Sequence, residues 1–528
     1  MIETLIAQLQ QRGIKLWADG AYLQYDGPKG SLTPELKEQL RTHKAAILLY
    51  LQHQQQQPFD IHPVPRTDTL ALSFNQMRFW TFQMARPNDS FYNVHQRFQI
   101  IGALNPTALE HSFNALIERH EVLRTTFPLV NGQPVQAIAD HSTITLDIRD
   151  VQTIPPDAQP AEMERIIRTE VERPFDLATG PLMRILLLHQ ATDTWLLVVC
   201  FHHIVLDDWS LTLLYRELAV CYTAITSGQP VAIPPLSIQY ADYAAWQHQQ
   251  LTPDAIASRR AYWETVLADE PAPLSLSSEP MQSAVSKSFQ ARLSRFEHTP
   301  HVTQHLKTIS QQAGVTLYMT MVATLALLLS RENSDQNILI GSPVLGRHHP
   351  QLEGVLGCIS SIHVLRIGLS DNPLLLDLLQ RVKQIVQDAM TYQDIPYEPL
   401  ARLAGVQKKR ERPLFRVLIS YLTHSPRNQL QLPGLQVTVQ ELDEVNMQPD
   451  LLLVIWEEPG ATGSYLRGWW QFKQAIFGPE AMTQFAADFQ TLLAAIATEP
   501  ERTCQALLAQ LNRGDQEDTR KGATHRYE

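Results

Sequence analysis

The chain has 528 residues, 44% of them hydrophobic, and a formal net charge of -11. That length predicts three or more domain-sized units, and the lack of any apolar run of roughly 18 residues or of a basic stripe excludes a spanning helix and argues against membrane or nucleic-acid partners. Four scattered cysteines (Cys200, Cys221, Cys358, Cys504) and a start without a basic-then-apolar leader predict reduced thiols in a cytoplasmic protein.

Leu5, Ile6 and Leu9 give a short helical face that stops at Gly13. Residues 14–17 and 21–25 then flank Asp19-Gly20, a hairpin signal because glycine tolerates positive φ. Thr33-Pro34 supplies a cap and a first-turn proline to a second helix running through Leu36, Leu40, Ile47, Leu48 and Leu51. Residues 1–52 therefore read as a small α+β unit, too short to bury much surface alone and expected to dimerise or dock. Gln52 to Pro58 and the proline-bearing stretch to Pro65 predict a flexible linker over 53–67.

The large body is assigned as a first lobe at 68–228, a crossover at 229–285 and a second lobe at 286–505, followed by a polar tail at 506–528. Asn105-Pro106 opens an amphipathic helix over 105–120 with Leu109, Phe113, Leu116 and Ile117 on one face. A strand-like stretch, 123–130, ends at the hairpin signal Asn131-Gly132, and Arg119 and Arg124 read as surface or structural residues. Residues 174–181 read as a loop, 182–188 as a strand, and the proline- and serine-rich crossover holds one helix around 240–263. In the second lobe 316–330 reads as an apolar helix, 337–346 and 355–367 as strands, 392–398 and 413–421 as their continuation, and 481–497 as the closing helix. Strands separated by helices predict an α/β fold.

One stretch organises the rest: Trp195-Leu-Leu-Val-Val-Cys-Phe-His202-His203-Ile-Val-Leu-Asp207-Asp208-Trp209-Ser210. Its β-branched and aromatic start reads as a buried strand, and Leu211, Leu213, Leu214, Leu218 and Cys221 mark one face of a helix running to Ala224. The chemistry-bearing side chains thus sit at a strand-to-helix turn. Neighbours on a strand point to opposite faces, so His202 and His203 cannot both reach one reacting atom: one faces a cavity and the other packs. They lack the i, i+4 spacing of a helical zinc pair, and no metal is implied. A buried, hydrogen-bonded pair is the plain alternative.

This segment resembles the His-His-x-x-x-Asp-Gly motif of the condensation domains of nonribosomal peptide synthetases, which belong to the chloramphenicol acetyltransferase superfamily. Five further stretches are similar to that family's ordered motifs: Ser73-Phe-Asn-Gln-Met-Arg78-Phe-Trp80, Arg119-His-Glu-Val-Leu-Arg124-Thr-Thr-Phe127, Tyr240-Ala-Asp-Tyr-Ala-Ala-Trp246, Tyr392-Gln-Asp-Ile-Pro-Tyr-Glu398 and Arg412-Pro-Leu-Phe415. Residues 1–52 resemble the tubulysin-synthetase type of N-terminal docking domain. The resemblance implies two acetyltransferase-like α/β lobes in a V arrangement around a central tunnel, with His203 at its middle as the catalytic imidazole. His202 and Asp207 would support it, Arg347 first and Arg78 second would pair with Asp207, and Trp209, Ser210 and Ser361 would line the tunnel. His348 and His349 read as solvated.

The implied activity is amide formation between an acyl or peptidyl thioester donor and an amine acceptor, both on phosphopantetheine arms of donor and acceptor peptidyl carrier proteins, with no cofactor bound by the chain itself. The docking resemblance implies that the hairpin, with Lys15, Trp17, Tyr22, Tyr25 and the nearby Lys29, receives the C-terminal tail of an upstream synthetase subunit by strand addition. A homodimer through the same unit is the other expectation. Nothing resembles an adenylation domain or a carrier serine motif, which suits a stand-alone protein or a fragment.

Three positions depart from the family pattern: Asp208 replaces a glycine, Ser361 stands where an asparagine is expected, and Tyr392 replaces a histidine or asparagine. Asp208 adds a carboxylate beside the reacting carbonyl, able to repel an oxyanion or to attract a cationic amine. Two other classes stay open, a recruitment platform with little catalysis and an acyltransferase using a free thioester or amine. Platform domains of this kind also carry a doubled aspartate, but an arginine follows their first histidine, where this chain has His203.

Overall fold

The computed structural model describes residues 60–66, 69–268, 290–331, 333, 336–347, 349–392, 415–422, 430–440, 442, 444–461 and 463–511. Of the N-terminal unit it describes 14–19, 22–26, 33–42 and the single positions Leu5, Leu9, Lys44, Ile47 and Leu48. In that unit β1 (Lys15–Asp19) and β2 (Tyr22–Asp26) pair antiparallel with Trp17 opposite Gln24, and α1 (Pro34–Thr42) follows. Leu5, Leu9, Ile14, Leu36, Leu40 and Ile47 close a core of their own.

The first lobe starts with β3 (Leu70–Ala71), α2 (Phe74–Ala85), β4 (Asn93–Ile101) and α3 (Pro106–Arg119). Asn105 caps α3 by accepting from the Ala108 amide, and its apolar face (Leu109, Phe113, Leu116, Ile117) is buried. The expected strand over 123–130 is a correction: a 3-10 turn (Glu121–Arg124) gives way to the two-residue strands β5 (Thr125–Thr126) and β6 (Leu129–Val130). Pro128 interrupts the run, and the Phe127 amide turns away to Leu177 O. Asn131 and Gly132 take positive φ, 53° and 77°, and turn the chain into β7 (Gln133–Ile138). Next come β8 (Asp147–Asp150), α4 (Gln159–Val171), β9 (Met183–Ala191), β10 (Thr194–His202) and α5 (Asp208–Thr226).

The crossover helix is two helices, α6 (Tyr240–Gln250) and α7 (Pro253–Leu267), because Pro253 cannot continue α6. Crossover residues 269–285 lie outside the described residues. The second lobe runs β11 (Gln290–His298), α8 (Pro300–Gln312), α9 (Leu317–Ser330), β12 (Asn337–Val344), β13 (Ser361–Gly368), α10 (Leu375–Thr391) and β14 (Val417–Leu422). It continues with β15 (Gln436–Gln440), β16 (Glu444–Asn446), β17 (Leu451–Gly460), β18 (Gly463–Lys473), α11 (Pro479–Thr498) and α12 (Cys504–Leu508). The helix expected to close the chain, α11, is thus followed by a further short one. Residues 393–398, 413, 414 and 512–528 of the expected segments lie outside the described residues.

Each lobe has one large sheet and one core, and the first lobe carries a second, small sheet in which β3, β5 and β6 pair with β7. The first-lobe sheet runs β15-β4-β10-β9-β8 and the second β13-β12-β14-β17-β18-β11-β16. In the first lobe β9 and β10 follow each other as an antiparallel pair, as the strand read at 182–188 with the strand from Trp195 directly after it implies. Its outermost strand, β15, comes from the second half of the chain, as do Leu352, Val355, Leu356, Cys358, Ile359, Leu430 and Leu432 in its core. Residues 60–66 of the expected flexible linker are pinned: the Ile61 amide donates to Gln351 Oε1 at 2.9 Å, and Arg66 pairs with Asp242 and Glu121. Among the described residues no single helix is long and apolar enough to cross a membrane.

Candidate active site

Strand β10, flanked by β4 and β9 and buried along its last seven residues, ends at His202. Beyond it the two imidazoles part. His202 is fully buried; its Nδ1 accepts the Ile204 amide at 3.1 Å, so Nε2 carries the ring proton toward Gln83 Oε1 at 3.4 Å. Burial, with a smaller contribution from His203, pushes its pKa down to about 3, which keeps this ring neutral. His203 is half-buried, its amide tied to Tyr92 O at 2.8 Å and its ring stacked on Phe79 with centroids 4.9 Å apart. Its Nδ1 faces the Cys358 sulfur at 4.0 Å, and its Nε2 has no hydrogen bond to a described residue.

The turn after the histidines is held by Asp207, the N-cap of α5. Its Oδ1 accepts from the Ser210 amide (2.9 Å), Ser210 Oγ (2.7 Å) and Arg347 Nη2 (3.2 Å). Its Oδ2 accepts from Arg347 Nη1 (2.8 Å) and from the amides of Ile359 (3.0 Å) and Ser360 (2.9 Å). Burial works against this charge, but Arg347 and the donors around it hold the carboxyl below the ordinary carboxylate range. Arg347 is itself buried, donates to the carbonyls of Val355 and Gly357, and lies under the Trp209 ring at 5.9 Å. One carboxylate thereby joins the first lobe's helix to a second-lobe loop, 345–360.

That loop corrects the strand expected over 355–367: only 361–367 of the stretch is strand, and 355–360 folds beneath Asp207. Gly357, at φ +150°, packs against Tyr240, whose ring would lie 1.7 Å from an added Cβ. The Tyr240 hydroxyl bonds Ser73 Oγ (2.7 Å) and Cys358 O (2.9 Å), and Asn75 Nδ2 donates to the carbonyls of Cys358 and Ser360. Sequence reasoning gave no site role to Phe79, Gln83, Tyr92, Tyr240 or Asn75. The motif stretches around 73–80 and 240–246 were the available signal, because both supply residues that hold this loop and the His203 ring.

Other singled-out residues fall in different places. Ser210, expected along the tunnel, is fully buried with its hydroxyl committed to Asp207, Gly357 and Arg347, so it lines no passage. Trp209 is half-buried and its indole donates to Glu353 O at 3.0 Å; Ser361 is half-buried at the start of β13. Asp207 takes Arg347, whereas the Arg78 guanidinium lies over the Phe79 ring at 4.9 Å. Asp208 is exposed in the first turn of α5. His349, read as solvated, is half-buried and its pKa is lowered by burial, while His348 lies outside the described residues. On the hairpin Tyr25 is exposed; the side chains of Lys15, Trp17 and Tyr22, and Lys29 altogether, lie outside the described residues. Among the described residues no group of three His, Cys, Asp or Glu side chains could hold a metal ion.

The sequence family described as condensation domain matches residues 66–517, and the TubC N-terminal docking domain matches residues 2–53. The chain is 34% identical to malpinin synthetase of Mortierella alpina over 447 residues, 84% of this chain and 6% of that protein. It is 32% identical to phosphinothricin tripeptide synthetase PhsC of Streptomyces viridochromogenes over 446 residues, 84% of this chain and 40% of that protein. It thus spans less than half the length of each of these curated relatives. Its fold is similar to that in the complex of the X-domain and OxyB from teicoplanin biosynthesis (TM-score 0.76, 23% identity, 85% of this chain and 98% of that one). It is also similar to the starter condensation domain of a rhizomide synthetase mutant (TM-score 0.70, 22% identity, 83% and 98%). Because the family match takes in both lobes and every residue of the site, the chain belongs to the condensation-domain family, with a docking domain of the TubC type ahead of it.

Proposed function

We propose that the chain forms an amide between an acyl or peptidyl thioester donor and an amine acceptor, each delivered on the phosphopantetheine arm of a peptidyl carrier protein. The observation that carries this reading is the half-open His203 ring, clamped by Phe79 and its own backbone, with Nε2 free of partners among the described residues. A thioester needs no further activation, so the work is alignment and proton handling. Alignment alone can supply up to roughly 7–11 kcal/mol of barrier reduction in ideal cases. The amine nitrogen attacks the thioester carbon and a C–N bond forms as the carbonyl becomes an oxyanion. His203 Nε2 takes a proton from that nitrogen, the C–S bond breaks, and the departing thiolate takes the proton back. A positioned base of this kind is worth about 10² to 10⁴ in rate.

Asp207 does no proton chemistry in this scheme, because all its acceptor capacity is spent on Arg347, Ser210 and two loop amides. The decisive experiment mixes loaded carriers with wild type and His203→Ala and weighs the released product by mass spectrometry. A loss of at least about 100-fold is expected; full turnover by the variant would exclude His203 as base or positioning group and favour a recruitment role. The TubC-type match supports a second part of the proposal, that the N-terminal hairpin receives the C-terminal tail of an upstream synthetase subunit.

A further inference from the structure

One face of α2 serves both histidines of the turn. Phe79 stacks on the His203 ring with the planes 19° apart, and Gln83, one helical turn further on, meets His202. Gln83 is 2% exposed, and its side-chain amide is occupied at both ends. Its Oε1 accepts from His202 Nε2 at 3.4 Å, while its two N–H groups are divided among the carbonyls of Arg86 (3.3 Å), Pro87 (3.4 Å) and Asp89 (3.1 Å). Reversing that amide would set donor against donor and carbonyl against carbonyl, so its direction is fixed. The turn gathered round it leads straight to His203. Asp89 Oδ1 accepts the Phe91 amide at 2.9 Å, and Tyr92, the next residue, supplies the carbonyl that takes the His203 amide at 2.8 Å. The Tyr92 ring stands edge-on to His203 (6.4 Å, 89°) and to Phe79 (4.6 Å, 85°). Backbone and ring of His203 are therefore set by Phe79 and Tyr92, and the chain that carries Tyr92 folds around Gln83.

We propose that Gln83 is a positioning residue for the reaction: it ties the buried His202 ring to residues 86–92 as one unit and so fixes the direction in which His203 Nε2 points. It acts through these residues and not on the reacting atoms. The proposal rests on the amide-forming reading and gives the first histidine its task. His202 anchors the turn and is no second base, because its Nδ1 already accepts the Ile204 amide at 3.1 Å and its ring proton goes to Gln83. Without the Gln83 amide three carbonyls and one buried N–H lose their partner, and the turn must move to find others. A base displaced by about 1 Å from its productive position can cost about 10²-fold in rate.

The test is Gln83→Met, which keeps the length of the side chain and removes every hydrogen bond it makes. The full chain carries isotope-labelled histidine, and the His203 ring signal is assigned by its loss in His203→Ala. In Gln83→Met the His202 and His203 signals should be displaced, while that of His120, buried in the same lobe against Glu217, stays in place and reports an intact fold. With loaded carriers kcat should fall about 10- to 100-fold with KM little changed. Asp89→Ala loosens the same turn from its exposed side; it should also displace the His203 signal, and its effect on kcat should be less than multiplicative with that of Gln83→Met. An unmoved His203 signal, an unchanged kcat or strictly multiplicative effects overturns the proposal. If Gln83→Met does not fold, Asp89→Ala alone must displace the His203 signal and lower kcat, or the proposal fails. A wild type that forms no amide from loaded carriers would instead sink the amide-forming reading, and the displaced ring signal would still stand for the positioning of His203.

Discussion

At the residue scale the site sorts its ionisable groups by what surrounds them. Asp207 is buried but fully paired, and removing Arg347 would leave a buried charge uncompensated, a loss on the order of 3–5 kcal/mol. His202 takes the opposite course and stays neutral. These two choices set how stability responds to acid. The folded pKa of His202 is about 3 and that of buried His298 about 4, both below the roughly 6.5 of an unfolded histidine. Between those limits the unfolded chain binds protons that the folded chain refuses, so stability rises with pH there and is lost as pH falls from about 6.5. Asp207, held below its ordinary value, adds a second stage: its stabilisation is present above about 4 and is lost as pH falls further. Denaturant unfolding followed from pH 8 to pH 3 should therefore show decline already between 6.5 and 5, on the order of 1 kcal/mol per pH unit per buried ring. Stability that stays flat down to pH 5 would contradict the burial of these imidazoles.

At the scale of single elements the docking hairpin makes the sharpest demand. Two strands of five residues form a sheet whose outer edges have no partner among the described residues, and such an edge accepts an added strand through its backbone. Titrating the isotope-labelled protein with synthetic C-terminal tails of candidate upstream subunits should shift the amides of Lys15–Asp19 or Tyr22–Asp26 and leave β17 unmoved. Shifts confined to α1 would mean that tails bind by another route. The hairpin was legible because Asp19-Gly20 sits between two apolar stretches, and α3, β10 and α9 were legible because cap, period and length agree in each. The stretch 355–360 was not. Its apolar content, Val355, Leu356, Cys358 and Ile359, does enter a core, but as a loop whose amides are claimed by an aspartate 152 and 153 residues earlier. Periodicity reports burial and is blind to such a long-range capture. The same limit hid the role of Ser210: a hydroxyl just after the histidine pair reads as substrate-facing until Gly357 and Arg347 are seen to occupy it.

For the whole molecule, three separate connections oppose independent movement of the lobes. The Asp207–Arg347 pair spans them at the site, Ile61 and Arg66 bind Gln351, Glu121 and Asp242 along the chain that leaves the docking unit, and β15 extends the first-lobe sheet. The last was invisible in the sequence, since residues 436–440 carry no mark of pairing with a strand more than 300 positions earlier. Its register sets Gln436 opposite Ile101 and Gln440 opposite Arg97, and Val437 and Val439 pack against the first-lobe core. The backbone of β4 therefore depends on a segment from the other lobe for its outer hydrogen bonds. Placing aspartates at both half-buried valines would set two unpaired carboxylates against the first-lobe core and should release the strand, lowering stability by about 2 kcal/mol. Hydrogen exchange should then accelerate at alternate amides of residues 97–101, those that bonded β15, while the amides between β17 and β18 keep their protection. If β4 instead keeps its full protection in that double variant, β15 contributes little to joining the lobes, and the Asp207–Arg347 pair and the pinned segment at 60–66 must carry the connection.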